Sequence, residues 1–76
     1  MDFFHYKAGK LFAEDVAVAD LAAAEGTPLY VYSRKTINLH LDRLKEAFAP
    51  LDPLICYSVK ANSNLSVLKA CAARGA

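Results

Sequence analysis

The residue of this chain best placed to do chemistry is Lys60. It closes the run Leu54-Ile-Cys-Tyr-Ser-Val-Lys60 and is followed at once by Ala61-Asn-Ser-Asn64. A continuous apolar run rich in Ile, Tyr and Val reads as a strand buried on both faces, as in a parallel sheet. Side chains alternate along a strand, so Leu54, Cys56, Ser58 and Lys60 share one face, and Ile55, Tyr57 and Val59 share the other. An ammonium group at the end of such a strand is costly to bury without a partner. Two readings compete for it. Either the strand ends one residue early and Lys60 snorkels to solvent at the sheet rim, or Lys60 is an amine nucleophile at the mouth of an α/β sheet or barrel. An amine kept from water gives up its proton more readily and can form a Schiff base with an aldehyde cofactor or a carbonyl substrate. Ser58 lies two residues earlier on the same face, so its small side chain would sit beside whatever Lys60 holds; a large one would collide with a bound ring.

The elements that must position Lys60 are legible on both sides of it. Downstream, one of Asn62, Ser63 or Asn64 caps a helix with Leu65, Leu68, Cys71 and Ala72 as its buried stripe and Gly75 as its stop. Asn62 and Asn64 could instead touch a cofactor, but their place at a helix start favours capping. Upstream, Ile37, Leu41, Leu44 and Phe48 recur at helical spacing, predicting a helix from Arg34 to about Ala49 with Ser33 as its N-cap. Pro50 and Pro53 bracket the loop that follows.

Before that helix, Leu29–Tyr32 reads as a short strand. A helix from about Ala17 to Glu25 precedes it, capped by Asp15 and closed by Gly26. Residues Phe3 to Val16 read as two short strands, or a strand and an extended arm, about a turn at Ala8-Gly9-Lys10. Tyr57 points away from Lys60 and is expected to pack under a helix.

Composition narrows the class. At 76 residues the chain is at most one small domain, yet 55% of it is apolar, more than so small a domain easily hides. It reads as a piece of a larger core. The net charge is +1 with no basic stripe, which argues against nucleic acid. No apolar run approaches the ~18 residues needed to cross a bilayer, and Asp2 stands where a signal peptide carries positive charge. A soluble, cytoplasmic protein is the expectation. Cys56 and Cys71 belong to no metal or disulfide pattern and are expected to be small core residues. His40, on the long helix beside Ile37 and Leu44, reads as a residue at the edge of the buried face rather than a ligand, and His5 has no acid or cysteine at ligand spacing.

Tyr57-Ser-Val-Lys-Ala-Asn-Ser-Asn64 resembles the pyridoxal-phosphate lysine motif of the fold-type III decarboxylases. Glu25-Gly-Thr-Pro-Leu-Tyr-Val-Tyr-Ser33 resembles the segment that precedes it in the diaminopimelate decarboxylase family. The likeness runs from about Leu11 to Ala76. It implies an α/β fold: the N-terminal part of a (β/α)₈ TIM-type barrel of the alanine racemase-like kind, whose barrels need roughly 250 residues. Residues 1–26 would then be an arm and short helix packing with a C-terminal β-domain, and residues 27–76 the start of the barrel. The chain is accordingly expected to be an N-terminal fragment, inactive alone.

The resemblance further implies pyridoxal 5'-phosphate on Lys60 with Ser58 beside it. The reaction would be decarboxylation of meso-diaminopimelate, a small amino-acid substrate, at its D centre to L-lysine, and the full-length enzyme would be a homodimer. Phosphate-site and distal substrate residues would lie outside this stretch. The alternatives are another fold-type III enzyme (an ornithine or arginine decarboxylase, or an alanine racemase), against which Gly26–Tyr32 argues, and a non-enzymatic small α/β piece.

Overall fold

A computed structural model describes residues 2–76, which fall into two compact units, one ending at Lys35 and one spanning Thr36–Ala76. The chain is a small α/β piece with one antiparallel sheet and three α-helices among the described residues.

In the first unit, strands β1 (Phe4–Lys7), β2 (Lys10–Ala13) and β3 (Val16–Ala17) form a sheet in that order. The expected turn joins β1 to β2: Ala8 and Gly9 both have positive φ, 51° and 77°, as a two-residue type I′ hairpin requires. The register pairs His5 with Phe12, whose rings stack with centroids 5.8 Å apart. A second tight turn, Glu14-Asp15, leads into β3 and sets Glu14 at φ 56°.

Helix α1 (Val18–Glu25) begins directly after β3, with Ala17 at its N-cap position and no side-chain cap. Asp15 therefore does not cap it. Pairing with β2 holds the chain extended through Ala17, which leaves Asp15 in the preceding turn. Gly26 ends the helix at φ 84°, as its lack of a side chain allows, and its amide donates to Ala22 at 2.8 Å. Leu29–Tyr32 is not a strand, and Tyr30 is 92% exposed. A β-strand exists through ladder bonds, and the sheet of residues 4–17 offers this stretch none.

Helix α2 (Arg34–Ala47), whose residues from Thr36 on belong to the second unit, carries the predicted period, and Ile37 and Leu41 are half-buried. Leu44 and Phe48 remain exposed. The helix stops two residues short of Ala49, where Pro50 tightens the chain into a 3₁₀ turn, Ala49–Leu51. Helix α3 (Leu65–Ala73) buries Ala70 and Cys71, but Leu65 and Ala72 are exposed, so its inner stripe is narrower than the sequence suggests. Gly75 follows it at φ 89°. Lys45 Nζ donates to the Arg74 carbonyl at 2.9 Å, and Arg74 lies 3.7 Å from Asp42, so the end of α3 is held to α2.

Leu54–Ser58 likewise forms no ladder, a correction to the buried-strand expectation. Its two-residue alternation survives nonetheless. Ile55 and Tyr57 are half-buried while Leu54, Cys56 and Ser58 are exposed, which also places Cys56 outside any core. The alternation of side-chain exposure is that of a strand, while no hydrogen-bonded neighbour pairs with the stretch among the described residues.

Ala13, Ala70 and Cys71 are the buried apolar residues described, and no large side chain is fully buried. Leu54 at 88% and Leu51 at 75% exposure show how much apolar surface is left uncovered. No helix among the described residues is long and apolar enough to cross a membrane.

Candidate functional site

Residues 54–58 lead into a 3₁₀ turn, Val59–Ala61, closed by the Ala61 amide donating to the Ser58 carbonyl at 3.0 Å. Lys60 is the middle residue of that turn and is exposed. It is therefore presented on a loop rather than at the carboxyl end of a buried strand. A three-residue turn with no covering layer cannot keep a long side chain from water. Ser58, just before the turn, and Ala61, its last residue, are exposed too.

Side chains around the turn organise its exit. The Tyr57 hydroxyl donates to the Asn62 carbonyl at 3.0 Å, bridging the turn. Asn62 Oδ1 accepts from the Asn64 amide at 2.8 Å, and Asn64 Oδ1 accepts from the Ser66 amide at 2.9 Å. Asn64 is thus the N-cap of α3, and both asparagines serve the backbone, as their helix-start position suggested. Tyr57 is half-buried, while Lys60 is exposed.

Between Leu54 and Ser66 the titratable side chains are Cys56, Tyr57 and Lys60 alone. No carboxylate or histidine lies in that stretch, and an accessible primary amine can attack a carbonyl. Among the described residues no group of three or more His, Cys, Asp or Glu side chains could hold a metal.

The first unit holds a polar cluster that local sequence patterns did not disclose. Glu14 Oε2 accepts from Ser33 Oγ at 2.8 Å and from the Lys35 amide at 3.1 Å. These bonds hold its carboxyl below the usual carboxylate range, the Lys35 amide contributing most and the Ser33 hydroxyl next. Burial opposes the shift, while the Lys35 charge and the Arg34 amide add to it. Ser33 is buried, immediately ahead of α2, and Glu14 brings a negative charge to that helix's N-terminus. An open groove of about 400 Å³ beside the cluster is lined by Glu14, Asp15, Tyr32 and Arg34 together with apolar residues. An acid 19 residues from its partner leaves no periodic signal; its position in a two-residue turn was the only hint.

Fold and loop together define a class: an α/β chain in which an apolar segment, a lysine-bearing turn and an Asn-capped helix succeed one another. Comparison with curated proteins narrows that class. The chain is 51% identical over 76 residues to the diaminopimelate decarboxylase of Vibrio cholerae, 49% over 75 residues to that of Haemophilus influenzae and 47% over 76 residues to that of Pseudomonas fluorescens. Those alignments cover 99 to 100% of this chain but 18% of each relative, so the chain spans less than one fifth of the length of the curated proteins it matches. No family model and no solved structure matches it. The chain belongs to the diaminopimelate decarboxylase family.

Proposed function

We propose that the whole protein containing this stretch is a pyridoxal-phosphate-dependent enzyme that decarboxylates meso-diaminopimelate to L-lysine and carbon dioxide, with Lys60 as its cofactor lysine. The observation that carries the reading is an exposed amine on a turn, in a chain similar along its whole length to proteins of that name. The residues present fit such a cofactor. An accessible primary amine can condense with an aldehyde, and the nearby Ser58 and Ala61 are small and exposed. Ser58 stays assigned to the cofactor side on the resemblance of residues 57–64 to the family's lysine motif, not on strand alternation.

When bound, pyridoxal phosphate takes up the electron pair left by departing carbon dioxide. Lys60 would hold the cofactor through Nζ and, when free of it, could hold a proton on that nitrogen. Asn62 and Asn64 stay with the backbone, keeping the start of α3 fixed behind the lysine.

The same reading extends to architecture. Residues 27–76 would open a (β/α)₈ barrel in which Leu29–Tyr32 and Leu54–Val59 acquire parallel neighbours, and residues 1–26 would pack with a β-domain. That accounts for the apolar side chains left bare here, Tyr30 and Leu54 foremost. The enzyme would be a cytoplasmic homodimer, with its phosphate site and distal substrate contacts on other segments. The test is lysine production from meso-diaminopimelate by the full-length protein, with and without Lys60→Ala. A loss of at least 10²-fold is expected for the variant; activity within a few-fold of the parent would refute the assignment.

A further inference from the structure

We propose that Tyr57 is a positioning residue for Lys60: by holding the Asn62 carbonyl, its hydroxyl fixes the turn that aims the amine. The inference rests on Lys60 being the cofactor lysine and adds the residue that sets its direction. The turn has little else to define it. Its one closing backbone bond runs from Ala61 to Ser58, and a three-residue 3₁₀ turn is a weak structure by itself. Among the described residues the Lys60 ammonium has no hydrogen-bond or ion-pair partner, so its backbone alone aims it.

The Tyr57–Asn62 bond encloses that turn, joining the last half-buried residue before it to the first half-buried residue after it. A tyrosine suits the task because its ring has only two side-chain torsions to fix, so holding it costs little entropy. The restraint does not end there. Asn62 passes it to the Asn64 amide, and Asn64 to the Ser66 amide, so three side-chain bonds tie the amine's turn to the first turn of α3. Tyr57 itself touches neither substrate nor cofactor in this assignment.

The test uses the full-length protein, titrated with pyridoxal phosphate, reduced with borohydride and mapped by mass spectrometry. Tyr57→Phe keeps the ring and removes the bond. The Lys60 adduct at sub-saturating cofactor should fall about 3- to 10-fold, the range one lost intramolecular hydrogen bond gives. Labelling elsewhere should not change. Asn62→Ala, which keeps the carbonyl but cuts the link to Asn64, should give a smaller loss. Hydrogen exchange of the cofactor-free proteins supplies a second readout: amides of residues 61–64 should exchange faster in Tyr57→Phe while those of α2 do not.

Equal Lys60 labelling and equal exchange in parent and Tyr57→Phe would overturn the positioning role while leaving the cofactor lysine standing. Absence of Lys60 labelling in the parent would overturn both.

Discussion

Glu14→Ala is the perturbation whose size the structure sets best. The change removes one carboxylate oxygen that accepts from Ser33 Oγ at 2.8 Å and from the Lys35 amide at 3.1 Å. A bond to a charged acceptor contributes about 1.5–3 kcal/mol when shielded, and loss of a helix N-terminal acceptor alone costs about 0.5–2 kcal/mol. Glu14 is half-buried and Lys35 exposed, so solvent screens part of this and the combined loss lies near the low end, roughly 2 kcal/mol. At tenfold per 1.4 kcal/mol, the Lys35 amide should exchange with solvent about 25-fold faster in the variant.

Glu14→Gln keeps a neutral acceptor and should give a rise of only about fivefold. The assay is hydrogen exchange on the full-length protein at neutral pH. The direction with pH is also fixed. Because the folded carboxyl titrates below its ordinary value of 4.5, its stabilisation is complete above that value and is lost as pH falls through the lower folded one. Lys35 protection, corrected for intrinsic rate, should therefore fade only in acid, and not in Glu14→Gln. Unchanged Lys35 exchange in Glu14→Ala would refute the clasp.

Three further outcomes are expected. Asn64→Ala should cost about 1 kcal/mol, raising Ser66 amide exchange about fivefold, with Asn64→Ser close to the parent. Ser58→Phe in the full-length protein should cut cofactor attachment at Lys60 without lowering the melting temperature of the cofactor-free form, and equal attachment would remove Ser58 from the site. In the 76-residue chain, iodoacetamide should modify the exposed Cys56 well before the buried Cys71; comparable rates would contradict the burial of Cys71 against α3's neighbours.

What the sequence disclosed was what depends on neighbours in the chain. The Ala8-Gly9 turn, the helix over Ile37 and Leu41, the Asn64 cap and the Gly26 stop all follow from side chains within four residues of the feature they specify. The apolar excess also read correctly: Tyr30 and Leu54 are as bare as a 55% apolar chain of this length suggested. Strand formation at Leu29–Tyr32 and Leu54–Val59 did not follow, because a ladder needs a second strand and composition cannot supply one. Cys56 was misread with it, since its burial depended on that sheet. Asp15 failed as a cap because sheet pairing held the chain extended two residues further. Glu14 was invisible because its partners lie 19 and 21 residues away. Lys60 and Ser58 were singled out by residue type and order, and the structure places Lys60 on an exposed turn with Ser58 just before it.

The central claim is that Lys60 carries the cofactor, and reductive trapping tests it most directly. The full-length protein is incubated with pyridoxal phosphate, reduced with borohydride, digested and sequenced by mass spectrometry. A single dominant phosphopyridoxyl adduct on Lys60, absent from Lys60→Arg, is the predicted result. Adducts scattered over Lys35, Lys45 and Lys69 with no preference for Lys60, or a dominant adduct on a lysine outside this stretch, would contradict it.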